Sequence, residues 1–168
     1  MHDDLASLYA FNRWANGRVL GACRSLTAEK YGAEPLPGVV PVRGTVNHIA
    51  VVTLAWLRGL AGDTDPPLPA EDDLVSLDAA ARVLDEAQGV FETLLPTLTP
   101  ERLVTPQTLR RRNGQSASLP PWAVLRHIVN HATYHRGQVA SKLKAFGVEQ
   151  PATDLIFWVF EQQANRPG

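Results

Sequence analysis

A single cysteine, Cys23, stands in the 168 residues, so no disulfide can close within the chain and a disulfide-stapled secreted scaffold is excluded. Neither sign of charge dominates: 16 Lys plus Arg face 17 Asp plus Glu, for a formal net charge of −1. Proteins that grip nucleic acid usually carry a basic excess, and no nucleic-acid partner is expected here. Apolar runs are short, and none approaches the roughly 18 consecutive residues of a membrane span. The opening Met1-His2-Asp3-Asp4 is polar and slightly acidic, unlike the basic start of a secretory signal peptide. A cytoplasmic protein with no membrane partner is the expectation. Also missing are a Gly-rich phosphate loop, a Cys-x-x-Cys pair and a Gly-x-Ser-x-Gly elbow, which leaves nucleotide enzymes and serine hydrolases without their usual machinery.

What is present is the material of one globular domain over residues 1–168, with 45% hydrophobic and 20% charged residues, enough to bury a core without staples. Four long segments carry helical periodicity. The first runs from about Asp4 to Ser25, with Leu5, Leu8, Ala15, Val19 and Ala22 on one side. The second runs from about Thr45 to Gly62 through Val46, Ile49, Thr53, Trp56 and Leu60, before a polar, Pro-rich stretch from Asp63 to Ala70. The third runs from Ser76 or Leu77 to Leu95, with Ser76 as candidate N-cap and Pro96 and Pro100 as stops. The fourth opens at Pro120-Pro121 and runs to about Phe146, with Gly147 as its stop. A short fifth helix spans Ala152 to about Gln163. The fold class is all-α, a four-helix bundle with long connections.

The second and third helices are expected to run parallel. Thirteen residues, Asp63 to Val75, separate them and reach about 43 to 47 Å when extended. A helix of roughly 18 residues is only about 27 Å long, so the linker can return along the bundle. A tight antiparallel hairpin would not need it. Between the third and fourth helices, Asn113-Gly114 is a two-residue hairpin signal with polar flanks. The preceding Arg110-Arg111-Arg112 reads as a solvated hairpin tip or as a reader of anions.

Four of the five histidines fall on two predicted helices, and three of them form the run His127-Ile-Val-Asn-His131-Ala-Thr-Tyr-His135. Residues four apart on a helix differ by only about 40° around its axis, so His131 and His135 aim two imidazoles at one spot. With His131 set to zero, the apolar residues of the fourth helix cover roughly the next 160°. His135 falls inside that arc and His131 at its edge, while His127 lies on the far side and reads as a surface or supporting residue. His48, on the second helix, sits at the edge of an arc made by Ile49, Val52, Trp56 and Leu60. Three neutral imidazoles at the margins of a bundle core, His48, His131 and His135, suit one divalent ion such as Zn²⁺, Ni²⁺ or Fe²⁺, and spacing does not choose among them.

Asn12 and Asn16 interrupt or border the apolar face of the first helix, where a buried amide must be paired with a ligand or with another helix. Arg136-Gly137 reads as structural, with the glycine allowing close helix approach and the arginine pairing a carboxylate. Tyr134 and Gln138 neighbour the histidine face and can orient a ligand. Cys23 reads as a small helix residue.

The chain resembles the DinB (damage-inducible) family, within the DinB/YfiT-like superfamily. The resemblance lies in Tyr9-Ala-Phe-Asn-Arg-Trp14-Ala-Asn16, in Asn47-His48-Ile49 with Trp56-Leu57, in Asn130-His131 through His135-Arg136-Gly137-Gln138, and in Asp154-Leu-Ile-Phe-Trp158. It implies an up-down-down-up bundle, with nickel or zinc on His48, His131 and His135, and a homodimer. The C-terminal run Ile156-Phe157-Trp158-Val159-Phe160 either caps the core or supplies an interface. Some distant branches are thiol-dependent transferases or isomerases, so a thiol cofactor is one expectation. Three protein ligands leave a position open, the pattern of catalytic metal sites. The expected function is a metal-dependent hydrolase or thiol-dependent transferase acting on a small molecule. A non-catalytic metal-binding stress protein and a bundle with incidental histidines are the alternatives. No general base is identifiable within the motif.

Overall fold

Four long helices carry the fold, and their ends fall where turn chemistry puts them. The computed structural model describes residues 2–65, 67–110 and 114–165. Among these run α1 (His2–Cys23), α2 (Ala28–Gly32), α3 (Val42–Ala61), α4 (Leu77–Leu94), α5 (Pro100–Val104), α6 (Pro121–Ala145) and α7 (Leu155–Ala164). Ser76 caps α4, its hydroxyl accepting from Ala79 N–H at 3.1 Å. At the end of α6, Gly147 takes φ +76°, and Val148 N–H reaches back to Leu143 O at 2.9 Å. That six-to-one closure uses the left-handed backbone glycine adopts without cost.

The helix α3 starts three residues before the expected Thr45. Val42 and Gly44 are poor helix formers, yet Val42 is fully buried, and tertiary packing recruits the extra turn. The short α2 and α5 went unread in the sequence. Each follows a threonine N-cap, Thr27 accepting from Lys30 N–H and Thr99 from Arg102 N–H, and Pro100 opens α5 as well as closing the segment before it.

Contacts between the helices fix their directions. Near the start of α3, Asn47 meets Glu71 and Leu74, just before α4, while Arg58 near its end pairs with Glu86 in the second half of α4. The pair is therefore parallel, as the linker length implied. Helix α1 runs against α4, since Arg13 meets Glu92 and Arg24 meets Asp78. It runs with α6, since Asp4 meets Arg126 while Asn12 and Asn16 meet Arg136. Helices α3 and α6 are antiparallel, with Thr45 beside Lys142 and His48 beside His131. The order is up-down-down-up.

Leucines dominate the core, among them Leu54, Leu57, Leu60, Leu125 and Leu143. Tyr9 ties three helices together. Its ring stacks on Phe91 of α4, centroids 3.7 Å apart, and its hydroxyl donates to Leu125 O of α6 at 3.2 Å. Such an aromatic pair adds about 0.5–1.5 kcal/mol beyond its buried area.

Arg136 departs from expectation. It is only 1% exposed, and its partners are neutral: Nη1 donates to Asn12 Oδ1 at 2.7 Å and Asn16 Oδ1 at 2.9 Å, and Nη2 to Thr133 Oγ1 at 2.6 Å. No carboxylate pairs with it among the described residues, and burial lowers its pKa to about 10. Asn12 and Asn16 thus serve helix-to-helix bonding. Gly137 is also corrected: it is exposed, and a Cβ there would meet nothing within 4 Å, so it permits no close helix approach.

A hairpin of β1 (Gln107–Arg110) and β2 (Ser116–Leu119) sits against the end of α3, with Leu109 buried and Gln107 Nε2 donating to Gly59 O at 3.0 Å. Pairing of Arg110 with Ser116 leaves residues 111–115 as the connection, longer than the two residues the Asn-Gly signal suggested. Arg111, Arg112 and Asn113 lie outside the described residues, and Arg110 is an exposed strand residue 3.7 Å from Asp65. Helix α7 lies on α1, Trp158 against Phe11 and Glu161 accepting from Trp14 Nε1 at 2.7 Å. Among the described residues, no helix is long and apolar enough to cross a membrane.

Stranding a buried charge costs more than removing the whole group. The double variant Asn12→Ala/Asn16→Ala is therefore expected to lose about 3–5 kcal/mol in urea denaturation. Adding Arg136→Met should restore a substantial part of that loss. A triple variant no more stable than the double would show that the amides do not hold the guanidinium.

Candidate metal centre

Two helices build the centre because they cross antiparallel. On α6, His131 and His135 are one turn apart, and on α3, His48 faces them. His131 Nε2 lies 3.3 Å from His48 Nε2 and 3.1 Å from His135 Nε2. One nitrogen from each of the three lies within 4.8 Å of the others. His127, exposed and edge-on to Trp56 at 5.8 Å, is outside this group.

Two of the three imidazoles are held from behind. His48 Nδ1–H donates to Glu71 Oε1 at 3.0 Å, and His135 Nδ1–H donates to Gln138 Oε1 at 2.8 Å. A carboxylate only accepts, so the His48 proton sits on Nδ1 and the Nε2 lone pair faces the other rings. The Gln138 contact does the same for His135. Gln138 was among the sequence candidates for an orienting role, whereas Tyr134 is exposed and meets His135 only ring edge to face.

Glu71 was missed by sequence reasoning. It lies in the crossover between α3 and α4, in a single 3₁₀ turn spanning Glu71–Asp73. Asn47, next to His48, pins that turn: its Nδ2 donates to Glu71 O at 2.7 Å and to Leu74 O at 2.8 Å. The usable signal was Asn47 itself, a buried amide that demands partners, but nothing in the linker's composition singles out one acid among Glu71, Asp72 and Asp73.

The donor set fits a cation better than it fits vacant space. With the His48 and His135 protons on Nδ1, only His131 Nε2 is free to carry one. A single proton cannot make two strong hydrogen bonds at 3.3 and 3.1 Å. Two nitrogens bound at ~2.0–2.1 Å to one tetrahedral ion lie roughly 3.3 Å apart, close to the spacing found. Burial, and after it the neighbouring imidazoles, together lower the His131 pKa to about 4. Burial also lowers His135, against the opposing bond from Gln138. Both rings therefore stay neutral and able to coordinate at neutral pH.

Beside the histidines opens a cavity of ≈ 710 Å³, walled by His48, Glu71, His135, Gln138 and Lys142 with Val39 and Val40 at its rim. A separate cavity of ≈ 200 Å³ between α1, α3 and α4 reaches Asn12 and Asn16 but none of the histidines. Cys23 is buried, with its pKa raised to about 12 by that burial, and takes no part.

The DinB family model matches residues 1–166. The chain belongs to the DinB family. Protein DinB of Bacillus subtilis (strain 168) is 26% identical over 172 residues, covering 99% of each chain. A DinB-like protein from Bacillus cereus ATCC 10987 superposes with a TM-score of 0.61 at 21% identity, covering 83% of this chain and 91% of that one. YfiT from Bacillus subtilis, described as a probable metal-dependent hydrolase with an unusual four-helix bundle topology, gives 0.59 at 17% identity over 87% of each. At those identities the two structures show the fold shared with this DinB-family chain.

The lowered His131 pKa has a sign that can be tested on metal-free protein. Above pH 6.5 neither the folded nor the unfolded chain protonates this ring, and between 6.5 and about 4 only the unfolded chain does. Stability should therefore fall as pH drops through that window. Thermal unfolding of chelator-treated protein should show the fall, and His131→Gln should flatten it. An unchanged slope in that variant would mean another group is responsible.

Proposed function

We propose that this DinB-family protein is a metal-dependent hydrolase that holds one divalent ion, zinc or nickel, on His48, His131 and His135. The observation that carries this reading is the convergence of the His48 and His135 ring nitrogens on that of His131, at 3.3 and 3.1 Å, both fixed in the coordinating tautomer by Glu71 and Gln138. When bound, such an ion supplies Lewis acidity and lowers the pKa of water.

The chain's own residues do the rest. Glu71 accepts the Nδ1 proton of His48 and so keeps Nε2 free, a contact whose loss typically weakens metal binding about 10–100-fold. Glu71 is also the one carboxylate among the described residues lining the cavity, which makes it the proton acceptor for a water attacking a substrate there. Gln138 locks the His135 ring. The cavity admits a small molecule from solvent while the backbones of α3 and α6 hold the histidines rigid. A thiol-dependent transferase would use the same ligands, with a thiol in place of the attacking water.

Metal analysis of protein purified without an affinity tag tests the centre. Wild type should carry about one ion per chain by the ligand count of a three-histidine site. His48→Ala, His131→Ala and His135→Ala should each lose it, and His127→Ala should retain it. Full metal in His131→Ala would sink the assignment. Metal-dependent turnover of an ester and amide panel supports the hydrolase, turnover only with an added thiol supports transfer, and neither supports a non-catalytic binder.

We also propose a homodimer through α7. Leu155, Ile156, Phe157 and Phe160 remain between 43% and 56% exposed there while Trp158 packs inward. Sedimentation at micromolar concentration should give a dimer, and Phe157→Glu/Phe160→Glu a monomer. A monomeric wild type would refute it.

A further inference from the structure

The residues His131, His135, Gln138 and Lys142 recur every three or four positions along α6 and so share one face. The first three are accounted for by the metal centre, and the last is not. Lys142 is 8% exposed, yet it lines the cavity that His48, His135 and Glu71 also line. Among the described residues, its ammonium meets the neutral hydroxyl of Thr45 and no carboxylate. An ammonium carries three donors, and a buried charge left with a neutral partner is costly. Glu71, the acid of the same cavity, is engaged with His48.

We propose that Lys142 anchors a carboxylate of the substrate, placing the substrate's reacting group at the three histidines. This rests on the metal-centre reading above and names the substrate class: small carboxylic acids. The spacing follows from the helices. Thr45, which touches Lys142, precedes His48 by three residues on α3, an axial rise of about 4.5 Å. The anchored group and the reacting group are thus a few bonds apart. Thr45 also lies in the first turn of α3, where the helix dipole favours an anion. A carboxylate suits the site better than a phosphoryl group. One lysine and one hydroxyl offer few donors for the several oxygens of a phosphoryl group. Burial holds the Lys142 pKa below its ordinary value, a bias that an arriving anion relieves.

The test uses protein loaded with cobalt(II), whose visible spectrum reports ligands reaching the centre. Glutarate and succinate are titrated against pentanoate and butyrate, which bring one carboxylate instead of two. Wild type should favour the dicarboxylates at least about tenfold, the size of one charge-assisted hydrogen bond. Lys142→Met should take up the same cobalt but lose that preference, and Lys142→Arg should keep it. Equal affinities in wild type would overturn the anchor whether or not the variants fold. So would a preference that survives in Lys142→Met. Failure of the wild type to take up cobalt would overturn the metal centre and the anchor together, a result distinct from cobalt uptake without discrimination.

Discussion

The side chain of Asn47 is the point on which the rest of the arrangement turns. Its Nδ2 donates to two carbonyls of the crossover, Glu71 O and Leu74 O, and so fastens the return of the chain beside the start of α3. That fastening makes α3 and α4 parallel. It also delivers Glu71 to His48, and leaves the antiparallel face of α3 to α6. A linker merely long enough to reach would not place one carboxylate within 3.0 Å of an imidazole nitrogen. The amide does so with hydrogen bonds, which are directional and which a buried site makes costly to leave unmade.

Helix α6 presents two opposed chemistries on neighbouring faces. His135 looks into the cavity, and the next residue, Arg136, points to α1, where Asn12 and Asn16 receive it. The two are kept apart by the roughly 100° between successive residues of a helix. The result is a centre of three imidazoles with a cationic guanidinium behind it. Burial then holds His131 below its ordinary pKa, which removes the proton as a competitor for the ring nitrogen.

The cavity combines a wall of histidines with a cationic one. Lys142 lies two helical turns beyond His135 on α6 and meets Thr45, less than one turn before His48 on α3. Antiparallel packing brings these positions to the same level, so one crossing of two helices sets both walls of the cavity. The stability of that crossing comes from the leucine core and from Tyr9, which touches α4 and α6 at once.

By itself the sequence determined the four long helices, the caps at Ser76 and Gly147, the parallel middle pair and the three converging histidines. Each of these is a local or periodic property: apolar spacing, glycine at a helix end, linker length, and residues four apart on one face. It did not determine the extra turn at Val42, the neutral partners of Arg136, the exposure of Gly137, the length of the hairpin connection, Glu71 or the place of Lys142 on the cavity wall. Those depend on which segments meet in space. Glu71 is one of three adjacent acids in a linker, and only the bonds from Asn47 select it. Lys142 resembles a helix-end lysine until the antiparallel packing of α3 places it in the cavity beside the histidines. Sequence periodicity specifies the face a residue occupies, and tertiary packing alone specifies what that face meets.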